Sequence, residues 1–145
     1  MTLEVEVIGV DSRRHDGLTP DEVEQLCVLA LASAGIEEGH VAVELVDESR
    51  IRELNCEYRG FDQPTDVLSF PIDEDAVASG PRELGDVVIC PPHTTDLREA
   101  VVHGVLHLTG MDHETDSGEM LALQAELMRW LRSSSGQGRV GSSEP

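Results

Sequence analysis

Val102-His103-Gly104-Val105-Leu106-His107-Leu108-Thr109-Gly110-Met111-Asp112-His113 is the stretch on which the reading of this chain turns. The apolar pattern from Asp96 to Leu108 is helical, and Gly110 is a natural stop, since glycine lets a chain leave a helix through a left-handed conformation. His103 and His107 are four residues apart. On a helix this sets them one above the other, about 6 Å apart along the axis. His113 follows the glycine turn and can approach the same point from the side. Imidazoles placed this way converge on one ion at about 2.0–2.1 Å each, and three of them leave a fourth position open. Structural zinc normally has four protein ligands, so His103, His107 and His113 point to a catalytic ion, zinc by preference, although nickel, copper and cobalt accept the same ligands. Water in the open position would be acidified toward a pKa of roughly 7.

The residue after His103 separates this pattern from the zincin protease motif HExxH, where a glutamate in that position is the general base. Here it is Gly104, so a peptide-cleaving mechanism lacks its usual proton acceptor. Asp112 and Glu114 flank His113; Asp112 is either a partner orienting a ligand imidazole or a turn residue, and the spacing leaves both open. His15, His40 and His93 fall in loops or at a strand edge and read as ordinary satisfied side chains.

Outward from the histidines, the rest of the chain reads as alternating short strands and helices. Leu3 to Val7 alternates apolar and acidic residues, as a strand with one buried face does. Thr19-Pro20-Asp21-Glu22 is a helix start: Thr19 as cap, Pro20 in the first turn, Glu22 closing a capping box, with Gly35 as the end. His40 to Val46 is a second strand. Asp47 caps a helix in which Ile51, Leu54 and Tyr58 share one face, and Gly60 ends it. Asp66 to Phe70 and Leu84 to Cys90 are strands, separated by an acidic, Gly/Pro-containing loop. A last helix starts near Asp116 and runs to about Leu131, and the Ser/Gly-rich stretch 133–145 is expected to be a disordered tail. The order β-α-β-α-β-β-α-α predicts one α+β domain over residues 1–132, a small mixed sheet packed with helices, with a zincin-like metal helix.

Composition narrows the class. The 145 residues carry a formal charge of −19, and all ten basic residues are arginines. Such a surface repels a phosphate backbone at long range, over roughly a Debye length of 8 Å, which argues against generic nucleic-acid binding. Aromatics make up only 3% of the chain, so the core is built from aliphatic residues. No apolar run is long enough to span a bilayer and no signal peptide is visible, so a cytoplasmic protein is expected. Cys27, Cys56 and Cys90 form no metal or disulfide pattern and read as small buried side chains.

A second segment, Asn55-Cys56-Glu57-Tyr58-Arg59-Gly60-Phe61-Asp62-Gln63-Pro64-Thr65-Asp66-Val67-Leu68-Ser69-Phe70-Pro71, places Arg59 at a helix end, where the dipole favours positive charge. Its guanidinium can hold a phosphate bidentately, or pair with Asp62 or Asp66. This segment, Gly85-Asp86-Val87-Val88-Ile89-Cys90 and the histidine stretch, in that order, resemble the YbeY family of metal-dependent endoribonucleases across nearly the whole folded region. The resemblance implies zinc at His103, His107 and His113 and a catalytic part for Arg59 at the substrate phosphate. It implies cleavage of single-stranded RNA in 16S ribosomal RNA 3′-end maturation and ribosome quality control. Ribosomal RNA and the ribosome or its proteins would be the partners, with neither membrane nor DNA involved. One departure stands out: residues 91–102 are shorter than the family's usual linker, which carries an extra helix bordering the substrate groove. The same residues admit two other readings, a metal hydrolase on a non-RNA substrate and a non-enzymatic ribosome-assembly factor with a stabilising zinc.

Overall fold

A computed structural model describes residues 3–11, 13–15, 17–72, 83–112 and 115–143, with side chains described as far as Arg132. The elements follow the expected order: β1 (Leu3–Ile8), α1 (Pro20–Ser33), β2 (Gly39–Leu45), α2 (Glu48–Arg59), β3 (Val67–Pro71), β4 (Glu83–Ile89), a 3-10 turn (Pro91–His93), α3 (Leu97–Leu108) and α4 (Glu119–Ser143). The acidic loop read from residues 73–75 and 79–81 lies outside the described residues.

The four strands form one sheet in the order β1-β2-β4-β3. β1, β2 and β4 are mutually parallel, and β3 runs antiparallel along the outer edge of β4. This is the small mixed sheet of an α+β fold. Its register explains the alternation in the sequence. Val7, Val43, Val87 and Ser69 make one row across all four strands, and Glu6, Ala42, Asp86 and Phe70 make the next, on the opposite face. Strand side chains alternate between faces, so the first face is largely valine and the second carries most of the strand carboxylates.

Helices α1 and α3 pack together on the valine side. α2 covers the other side only near β3 and β4, where Ile51 and Leu54 meet Leu68, Val88 and Cys90. The caps act as their residue types dictate. Thr19 Oγ1 accepts the Glu22 N–H at 3.1 Å, Asp47 Oδ1 accepts from Arg50 N–H at 2.8 Å, and Asp96 accepts from Arg98 and Glu99 N–H. Glu22 does not complete a capping box. Its carboxylate instead takes two N–H bonds from Arg98, at 2.6 and 2.9 Å, and ties α1 to α3.

Residues 1–110 form one compact unit and 111–145 a second. In the second, the carbonyl of Asp112 opens a turn by accepting from Thr115 and Asp116, and the Asp116 carboxylate caps α4 through Gly118 and Met120 N–H. Met120, Leu127 and Met128 are its buried residues. α4 runs on to Ser143, beyond the end near Leu131 that its apolar spacing predicts. The side chains from Ser133 onward, where a disordered tail is expected, lie outside the described residues. Among the described residues no helix is long and apolar enough to cross a membrane.

Candidate active site

α3 positions the histidines, and Gly104 decides how. Leu97, Ala100, Val101, Val102, Val105 and Leu106 are buried, and Gly104 faces the sheet among them. A Cβ built there would lie 2.4 Å from Val87 Cγ1, 3.2 Å from Val87 Cγ2 and 3.3 Å from Ser69 Oγ. Only a residue without a side chain lets the helix approach this closely. The contact is locked by the Ser69 hydroxyl, which donates to the Gly104 carbonyl at 2.9 Å. A glutamate at this position would point into the sheet, so the general base of HExxH is sterically excluded here.

Flanking this contact, His103 and His107 are half-buried, and their rings stand edge to face with centroids 4.8 Å apart and planes at 70°. The sequence expectation that these two share a face is met. His113 lies outside the described residues. Among the described residues no group of three His, Cys, Asp or Glu side chains gathers tightly enough to hold an ion. The donor set of the pair, two imidazoles at this separation, fits a zinc-type ion. Past α3, Gly110 takes the left-handed φ of +102° that the helix stop predicts.

Arg59 is the last residue of α2. Gly60, at φ +78°, ends the helix, its N–H bonding to Cys56 O, while Phe61 N–H bonds to Asn55 O. The turn beyond is clamped twice. The buried Asn55 Nδ2 donates to Gln63 O at 2.8 Å, and Arg52 holds Asp62 through bonds of 2.7 and 3.1 Å. Hydrogen bonding and charge from Arg52 pull the Asp62 carboxyl below the usual carboxylate range. Asp66 accepts from Val67 N–H and from the Thr65 hydroxyl. Both carboxylates considered as partners for Arg59 are therefore engaged elsewhere. Its guanidinium lies instead over the Phe61 ring, 5.8 Å from the centroid.

Tyr58 also departs from expectation. It keeps the helical spacing of Ile51 and Leu54, but it lies a turn further on, where the sheet ends at β3. It is 61% exposed, and its ring meets Phe70 edge-on at 5.1 Å. β3 thus stands between the two halves of the site. Phe70, on one face, touches the residue before Arg59; Ser69, on the other, bonds the residue after His103. Asn55, Ser69 and Phe61 carry no expected role in the sequence, and Tyr58 only a place on the apolar face of α2. The available signal was a polar Asn55 four residues after Ile51, on the apolar face of α2.

The remaining histidines are accounted for. His15 Nδ1 accepts from Asp11 N–H, His40 lies between Glu83 and Glu6, and His93 contacts Glu48. Cys27 and Cys90 are buried as expected; Cys56 is exposed, because it faces away from the sheet on α2. A hollow outside α2, lined by Ser49, Arg52, Glu53, Cys56, Glu57 and Asp62, contains none of the expected site residues.

Comparison with known proteins sets these residues in a family. The family model for endoribonuclease YbeY matches residues 10–132. The chain is 39% identical over 140 residues to the endoribonuclease YbeY of Rubrobacter xylanophilus, covering 91% of this chain and 98% of that one. To its counterpart from Persephonella marina it is 37% identical over 131 residues, covering 80% and 86%. A solution structure of a Thermotoga maritima protein superposes with a TM-score of 0.52 at 28% identity, covering 97% of this chain and 95% of that one. A match that runs from the first helix through α3 and into α4, with relatives aligned over nearly their whole length, has one meaning: this chain belongs to the YbeY family of endoribonucleases.

Proposed function

We propose that this chain is a zinc-dependent endoribonuclease that cuts single-stranded RNA. Its place would be in maturation of the 16S ribosomal RNA 3′ end and in ribosome quality control, in the cytoplasm and on the ribosome. The observation that carries the reading is the pair of rings at His103 and His107, held 4.8 Å apart on a helix pinned to the sheet through Gly104. His113 joins them as third ligand on the strength of the family motif. Zinc held by these residues would supply a Lewis acid for phosphodiester cleavage.

The chain's own groups do the rest. Arg59 has no carboxylate partner among the described residues, so its guanidinium is available to donate two N–H bonds to non-bridging phosphate oxygens. Charge grows on those oxygens as the nucleophile attacks, and a fixed cation there stabilises the transition state more than the ground state. Position 104 offers no carboxylate, so proton removal from the nucleophile is not a task of α3 at that point. The charge of −19 keeps RNA from being gathered by the protein's field, so binding is local, and basic ribosomal proteins are suited to steer the encounter.

The test uses protein purified without a metal-affinity column. Elemental analysis is expected to find zinc in equal amount to the chain. The metal-loaded protein should cut single-stranded oligoribonucleotides and leave duplex RNA and DNA of the same sequence intact; a chelator or His107→Ala should abolish cutting. Removing one transition-state donor costs about 10²–10³ in rate, and Arg59→Ala should lose activity on that order. Arg59→Ala cutting at the wild-type rate would refute its role, and a metal-loaded wild type that leaves RNA whole would overturn the reading.

A further inference from the structure

We infer that Phe61 and Tyr58, on either side of Arg59, form a stacking platform for an unpaired base of the RNA whose phosphate Arg59 holds; this rests on the reading above. The chain has only four aromatic residues, and Tyr58, Phe61 and Phe70 gather at this one corner. In a protein this poor in rings, burying them would be the ordinary use. Instead Phe61 is 52% exposed and Tyr58 61% exposed.

Neither ring is loosely held. Phe61 sits on the turn clamped by Asn55–Gln63, by the Arg52–Asp62 pair and by its own N–H to Asn55 O. Tyr58 leans edge-on against Phe70, which packs on the cluster of Ile51, Leu54, Leu68, Val88 and Cys90. A platform fixed before binding loses little freedom when a base lands on it.

The chemistry selects the occupant. A net charge of −19 disfavours an anionic strand at long range, so a strand is held best where a cation and an uncharged π face coincide. Arg59 over Phe61 is such a place. Among the described residues, Arg13, Arg50, Arg52 and Arg98 are each paired with a carboxylate and Arg14, Arg129 and Arg132 are not, but Arg59 alone is laid against a ring. A guanidinium beside exposed rings suits an unstacked base joined to a phosphate, since every base has a π face and the phosphate takes the charge. A duplex, whose bases are already stacked, gains nothing from it. The platform therefore also supplies a reason for single-strand preference.

The experiment measures anisotropy of a labelled single-stranded oligoribonucleotide binding to the full chain, for wild type, Phe61→Leu and Phe61→Tyr. Each is also titrated with the same oligonucleotide carrying abasic positions. Stacking of one base on an aromatic side chain is worth on the order of tenfold to a hundredfold in affinity, and Phe61→Leu should weaken binding by that factor. Phe61→Tyr, which keeps the ring, should bind as wild type, and on the abasic strand all three proteins should bind alike. Thermal melts confirm that the variants fold. If Phe61→Leu binds the intact strand as tightly as wild type, or loses as much on the abasic strand, the platform is refuted. Cleavage by metal-loaded wild type is recorded in parallel, so a chain that binds in this pattern without cutting overturns the nuclease reading and leaves the platform standing. A wild type that binds no RNA, or whose Phe61 loss appears only with a ribosomal protein, overturns the platform.

Discussion

Gly104→Ala is the sharpest test of how the fold builds the site. The new methyl carbon would lie 2.4 Å from Val87 Cγ1, where carbon atoms sit comfortably at about 3.5–4.0 Å, so more than about 1 Å must open. Val87 cannot yield by turning, because its other methyl is already at 3.2 Å, it is fully buried, and a β-branched side chain has few rotamers. The helix must lift, stretching the 2.9 Å bond between Ser69 and Gly104. Overpacking of this kind costs about 1–3 kcal/mol. Alanine returns about 1 kcal/mol over glycine in helix propensity. Because an approach of 2.4 Å places the overpacking at the upper end of that range, the net expectation is a loss of about 2 kcal/mol, read as a lower urea midpoint with unchanged m-value and a Tm lower by about 5 °C. Val87→Ala vacates the space the new methyl needs. The double variant should therefore be more stable than the sum of the single losses predicts, with a coupling of at least about 1 kcal/mol. A Gly104→Ala protein as stable as wild type, or a strictly additive double variant, would show that the helix is not seated on the sheet as described.

Two further predictions rest on charge and exposure. Burial first, then Glu83, with Glu6 weaker and His40 opposing, raise the Asp86 carboxyl above its usual range. A raised folded pKa means that the folded chain holds this proton more tightly than the unfolded one, so stability falls as pH climbs from the unfolded carboxylate's value, about 4, through the folded one. Asp86→Asn should raise the Tm at pH 7 and lose that advantage as pH approaches 4; a pH-independent effect would contradict the assignment. Among the thiols, Cys27 is pushed up to about 12 by burial and Cys90 is raised by burial as well, while Cys56 is exposed. A colorimetric thiol reagent should titrate one cysteine promptly in the folded chain and all three after unfolding, with rapid labelling of Cys27 as the disproof.

How much of this was legible in the sequence depends on the range of the force involved. The alternation at Leu3–Val7, the caps at Thr19 and Asp47, the helical pattern from Asp96 and the glycine stops at Gly60 and Gly110 are local signals, and each of these elements formed where its own residues dictate. Glu22 shows the limit. Its neighbours favour a capping box, but Arg98 outcompetes the Glu22 backbone contact with two charge-assisted bonds from 76 residues away, which no window along the chain can see. The insertion of β4 between β2 and β3 is a similarly long-range result.

The site divides along the same line. The spacing of His103 and His107 is a property of one helix, and it carries directly into ring geometry. Tyr58 obeys the spacing of α2 too, yet spacing says nothing about where the sheet beneath a helix stops, so the ring emerges past β3 instead of entering the core. For Arg59 the carboxylates nearest in sequence are the wrong guide: Asp62 is taken by Arg52, and Asp66 by the start of β3. Gly104 carries the most general point. Read as a letter, it is a missing glutamate; read in three dimensions, it is the contact that sets the depth of the histidine-bearing helix. A carboxylate there would remove the histidines from the position that makes them useful, so in this fold the base of the zincin motif and the seating of α3 on Val87 and Ser69 are mutually exclusive.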